Sequence, residues 1–186
     1  MPAQESIRSI LSVGRHCLAL GRTREVAAIV LAHPRRIPAL IECLWDEDPG
    51  VASRAADALE RASHQKPSLL APWKDALLGL LAEARPNKLR WNLALMLPRL
   101  ELTPPETVRA MAALRDYLDD RSSIVKTAAM EGMAGLARQN AALLPEVLDT
   151  LRILSRSGTP AMRARGRILL RKLETMPAPL RRRLPG

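Results

Sequence analysis

Two carboxylates, Asp57 and Glu131, and a series of cations, Arg90, Lys126 and Arg163, are the residues of this sequence whose types and intervals best suit chemistry. Paired carboxylates divide acid and base roles when they stand about 5 to 9.5 Å apart. Cations recurring at a fixed interval can follow the phosphates of a nucleic acid. A third candidate is the stretch GTPAMRARGRILLRK, Gly158 to Lys172, which carries basic side chains and no acidic one. Other chemistry lacks its residues. His16, His33 and His64 show no metal-ligand spacing. The segments GRTRE and SGTPAMRARG lack the spacing and the lysine of a P-loop. The acidic run DEDP reads as a turn with a helix cap, where aspartate satisfies free amides. The expectation is no metal, no small-molecule cofactor and no enzymatic activity.

Whether those groups converge depends on the elements that carry them. The chain has 186 residues, 47% of them apolar and 26% charged, which suits one folded, soluble domain. No apolar run approaches the roughly 20 residues needed to cross a bilayer, and the first residues lack the pattern of a secretory signal. The expected location is the cytoplasm, with no membrane partner. Cys17 and Cys43 fall within apolar helical patterns, as small buried hydrophobes in a reducing compartment would. The net charge is +10, but +7 of it belongs to residues 159–186. The basic character is therefore a property of the last helix and of the Pro-rich tail MPAPLRRRLPG, which is expected to be extended.

Apolar periodicity gives helix after helix and no alternating strand. Four segments superpose on Val51, Leu89, Val125 and Met162, at intervals of 38, 36 and 37 residues. From each anchor, small or apolar residues recur four, seven and eight positions later, which is one face of a helix. Each such helix follows another that begins near a proline: Pro38, Pro72, Pro104 with Pro105, and Pro145. Thr103 and Glu106 form a capping box, and Asp48 and Thr159 stand as caps before Pro49 and Pro160. A period of this length built from two helices predicts an all-α superhelix, an alpha solenoid. It would be a single domain over 1–176, with antiparallel pairs near 5–33, 36–63, 68–100, 104–138 and 141–176, followed by the tail 177–186.

The phrase LWDEDPGVASRAADAL resembles the HEAT repeat, whose turn carries Asp-Pro and whose second helix carries Val, a basic residue, then Ala-Ala and Ala-Leu. The resemblance covers four repeats from about Arg36 to Met176, and implies that binding uses the concave face formed by the second helices. Residues two, six and nine positions after each anchor are expected to point away from the packed side. That selects Ser53, Asp57, Glu60; Trp91, Leu95, Pro98; Thr127, Glu131, Ala134; and Ala164, Ile168, Arg171. The set containing Trp91 is apolar where its neighbours are polar.

Three readings follow. The first is a non-catalytic protein-binding or scaffold module whose partner surface centres on Arg54, Trp91, Leu95 and Lys126, since Trp is enriched among residues that dominate interfaces. The second is a nucleic-acid-binding module using Arg90, Lys126, Arg163, Arg165, Arg167 and Arg171. Against it, the HEAT resemblance implies that the basic position after each anchor pairs with an acid of the turn, here Glu83, Asp119 or Asp120. The third is an enzyme similar to the HEAT-like alkylpurine DNA glycosylases, with Asp57 and Glu131 flanking Trp91. Helix layers about 8 to 10 Å apart would hold those carboxylates roughly 16 to 20 Å from each other, too far to cooperate. GTPAMRARGRILLRK reads first as the charged end cap that a terminal repeat needs for solubility.

Overall fold

The computed structural model describes residues 5–13 and 22–176. His16, Cys17 and the basic tail 177–186 lie outside them. Among the described residues every regular element is helical. In chain order the α-helices are α1 (Ile7–Ser12), α2 (Thr23–Ala32), α3 (Ile37–Glu42), α4 (Pro49–Gln65) and α5 (Lys74–Glu83). There follow α6 (Asn87–Met96), α7 (Pro104–Tyr117), α8 (Ser123–Gln139), α9 (Leu144–Ser157) and α10 (Pro160–Glu174). Short 3-10 turns extend α3 and α6 and lead into α3, α5 and α9.

Local chemistry sets the helix starts. Asp48 accepts from Gly50 N at 2.7 Å before α4, and Thr159 from Met162 N at 3.3 Å before α10. Thr103 and Glu106 close the capping box of α7, with Glu106 Oε2 accepting from Thr103 N at 2.7 Å. Pro98 sets the end of α6. It has no N–H to give to the carbonyl four residues earlier, that of Ala94, and the chain tightens into a 3-10 turn over Leu97–Arg99.

The even-numbered helices pack on one another in series, α2 on α4, α4 on α6, α6 on α8 and α8 on α10, with α5, α7 and α9 behind them. The anchors Val51, Leu89, Val125 and Met162 are all buried, and so are Ala55, Ala58 and Leu59 with their counterparts along α6 and α8. In α10 Gly166 and Leu169 are buried and Leu170 is half-buried. Close layers require small residues. A Cβ on Gly132 of α8 would lie 2.6 Å from the Ala94 carbonyl of α6, and one on Gly135 would lie 2.8 Å from Pro98 Cβ. Two side chains tie the C-terminal ends of successive layers together. Arg99 donates to the Glu60 carbonyl at 2.9 Å and pairs with the Glu60 carboxylate, while Gln139 Nε2 donates to the Pro98 carbonyl.

Lys74 at the start of α5 pairs with Glu106 at the start of α7 at 2.8 Å. The Lys74 ammonium, and after it the Thr103 amide, hold the Glu106 carboxyl below the usual carboxylate range. A depressed acid contributes stability above its unfolded value, about 4.3, and loses it as pH falls through the lower folded value. Glu106→Gln is therefore expected to be less stable than wild type at pH 7 and to approach it near pH 3. Urea unfolding at both pH values reads this directly.

Cys43 is 5% exposed, and burial pushes its thiol up from the ordinary value. It is a packing residue, with Sγ 3.2 Å from the Ala39 carbonyl.

Candidate functional site

The helix register brings Trp91 and Leu95 of α6 to one groove with Ile124, Thr127, Ala128 and Glu131 of α8 and Arg165 of α10. Its volume is about 160 Å³. Trp91 and Leu95 are half-buried against the core, and Ile124 is 56% exposed at the rim. Glu131 and Arg165 close the α10 side with an ion pair at 3.1 Å. The groove thus has an apolar wall and a paired charge at one edge, which suits burying one apolar side chain beside a polar group. It is well below the roughly 300 to 1,000 Å³ of typical small-molecule sites.

Trp91 and Leu95 therefore lie together as their spacing requires, but other expected site residues are placed differently. Arg54 is 3% exposed and faces inward, so it is not a partner contact. Its Nε donates at 2.5 Å to the Leu11 carbonyl, one of the acceptors left free at the end of α1. Ser53, Pro98 and Ala134, assigned to the outward face, are buried. For Pro98 the reason is that the ninth position after the anchor lies beneath the next layer, where Gly135 approaches it. Lys126 is half-buried and stands one residue, about 100° around the helix, from Thr127. It does not line the groove, and makes no ion pair among the described residues.

The cation series is divided among different duties. Arg90 pairs with Asp120 and lies over the Tyr117 ring, its guanidinium carbon 4.0 Å from the centroid. Asp120 also accepts from Ser122 N at 2.6 Å, which fixes the turn into α8. Tyr117 donates to the Leu81 carbonyl at 2.5 Å, and burial pushes its phenol up from the ordinary value. Arg90 is thus committed inside the fold and does not present a phosphate contact. Arg163 donates to the Gly158 carbonyl at 2.9 Å instead of meeting a turn acid. Of Glu83, Asp119 and Asp120, only Asp120 forms an ion pair among the described residues. Arg165 is engaged by Glu131, while Arg167 and Arg171 are exposed on α10.

The two carboxylates considered for acid and base roles each have a cation. Asp57 pairs with Arg61 at 2.8 Å and Glu131 with Arg165. Among the described residues no group of three or more His, Cys, Asp or Glu side chains converges as a metal would require. No helix there is long and apolar enough to cross a membrane.

Ile124, Ala128 and Arg165 are the groove residues that the outward-face rule leaves out. Ile124 precedes the anchor Val125, so two consecutive β-branched residues begin α8 and only one can face the core. A wider groove of about 750 Å³ lies between α2 and α4, lined by Ala27, Ala28, Leu31 and the polar Arg24, Arg61 and His64 among others. No Phe, Tyr or Trp lines it among the described residues, and its Arg61 is tied to Asp57.

No protein-family model matches the chain, and no curated protein matches it. Among solved structures, the crystal structure of an engineered protein from the Northeast Structural Genomics Consortium is similar to it, with a TM-score of 0.59. The match covers 91% of this chain and 79% of that one at 16% sequence identity, a likeness of fold alone.

Proposed function

We propose that the chain is a HEAT-like alpha solenoid of about five antiparallel helix pairs, without catalytic activity, that binds another protein on its second-helix face. The solenoid reading is supported by the serial packing of α2, α4, α6, α8 and α10 and by the period of their anchors. The observation that carries the binding reading is the convergence of Trp91, Leu95 and exposed Ile124 on one groove beside the Glu131 and Arg165 pair. An apolar anchor of the partner enters between Trp91 and Ile124, and the ion pair orients a polar group next to it. Burying such a side chain contributes about 1.5 to 3 kcal/mol.

The test compares the tagged chain with its Ile124→Glu variant in pull-downs with and without nuclease. Ile124 is already 56% exposed, so the substitution is expected to leave the fold intact, which circular dichroism checks. A protein that is retained after nuclease by the wild type and lost from Ile124→Glu supports the reading. Equal retention by both chains removes it.

A continuous cationic track for nucleic acid is less well supported, because Arg90, Arg163 and Arg165 have partners within the fold. The glycosylase-like reading has no cooperating acid pair behind it, as Asp57 and Glu131 are held by separate arginines.

A further inference from the structure

Within the series of stacked helices, several residues five to nine positions after the anchors of α6 and α8 meet the next helix. In α6 and the 3-10 turn that extends it these include Ala94 and Pro98, buried beneath Gly132 and Gly135 of α8. In α8 they include Met130, whose Cε meets the place of a Cβ on Gly166, and Glu131, which pairs with Arg165 of α10. In α10 the same positions are Arg167, Ile168 and Arg171, and all three are exposed, Ile168 at 46%. Neither arginine has an ion-pair partner among the described residues. The last described helix of the series thus carries an exposed apolar side chain beside two cations that are unpaired among the described residues.

From this geometry we infer that the outer face of α10 docks an acidic amphipathic helix of a partner protein, which adds to the stack as a further layer. Charge complementarity selects the occupant. Between α8 and α10 the incoming helix brings the cation, Arg165, to the anion Glu131, and at the outer face of α10, exposed among the described residues, the polarity is reversed. A helix that fits must therefore bring carboxylates to Arg167 and Arg171 and an apolar residue to Ile168. A nucleic-acid backbone would use the arginines but would leave Ile168 against a charged surface, which favours the protein helix. This surface is separate from the Trp91 groove, and the two proposals fail independently.

The probe is a labelled helical peptide of about 18 residues, or five turns, made of Glu, Ala and Leu with a leucine stripe flanked by glutamates. Its counterpart has Lys for every Glu, and a short labelled DNA duplex is the third ligand. Fluorescence anisotropy with the full chain is expected to show binding of the acidic peptide in preference to both others. Ile168→Glu, and separately Arg167→Glu with Arg171→Glu, are expected to weaken that binding roughly tenfold or more, with helicity by circular dichroism unchanged. Ile124→Glu is expected to leave it as in wild type. No binding of the acidic peptide, equal or tighter binding of DNA or the lysine peptide, or indifference to Ile168→Glu would each overturn the inference.

Discussion

Gly132→Ala is expected to destabilise the fold by about 1 to 3 kcal/mol, the usual cost of forcing a methyl into a close-packed site. Alanine is the better helix former by roughly 0.8 to 1 kcal/mol, so the sign of the effect depends on the space available. At Gly132 there is none. The new Cβ would lie 2.6 Å from the Ala94 carbonyl oxygen and 3.1 Å from Leu114, and the nearer neighbour is backbone. That oxygen belongs to the residue from which Pro98 withholds the usual helical donor, so the added methyl would crowd an acceptor and spread α6 from α8. Gly79 of α5 is the control, since no atom lies within 4 Å of its added Cβ. Gly79→Ala is expected to be neutral to stabilising by up to about 1 kcal/mol. Urea midpoints at unchanged m-value measure both substitutions. Equal effects of the two would contradict the close approach of α6 and α8.

Asp120→Ala is expected to cost about 2 to 3 kcal/mol, less than the 3 to 5 of a fully buried pair because Arg90 keeps some solvent. The Asp120 side chain is 4% exposed and that of Arg90 21%. Removing the carboxylate leaves a largely buried guanidinium facing the Tyr117 ring without its anion, and it also leaves Ser122 N without its acceptor. Asp120→Asn separates these contributions, because the amide oxygen can still accept from Ser122 while the charge is gone. Its loss is expected to be smaller, about 1 to 2 kcal/mol. In a double-mutant cycle with Arg90→Met, most of the Asp120→Ala effect should be absent in the Arg90→Met background.

The helices were readable from the sequence wherever a local signal sets them. Thr103 with Glu106 announces α7, and Asp48 before Pro49 announces α4, because each cap bonds within a few residues of itself. The apolar face from each anchor was also readable, since helical periodicity fixes which residues share a side. The start of α5 was less so. The sequence APWKDALLGLL suggests a start near Pro72, whereas Pro67–Trp73 forms a 3-10 turn and α5 begins at Lys74. Pro72 lacks the donor that would continue a regular helix through that stretch.

The site was readable in part, for the same reason. Trp91 and Leu95 are four residues apart on one helix, so a shared groove follows from spacing. Arg54 misleads, because beside the nearby Asp48, 4.0 Å away, its Nε finds its acceptor in a carbonyl 43 residues earlier in the chain. Arg90 could be assigned to an acid of the turn, and Asp120 takes that role. Its placement over Tyr117 depends on a side chain of α6 reaching the last residue of α7, which no local pattern encodes.

Occupation of the Trp91 groove by a protein partner can be read by site-specific photocrosslinking in the native extract. A photoreactive residue at Thr127, within the groove, is compared with one at Arg109, exposed on α7. The expected result is a nuclease-resistant protein adduct at position 127 that is absent at 109 and is lost when Trp91→Ala is added. Equal adducts at both positions, an adduct that nuclease removes, or an adduct that survives Trp91→Ala would contradict it.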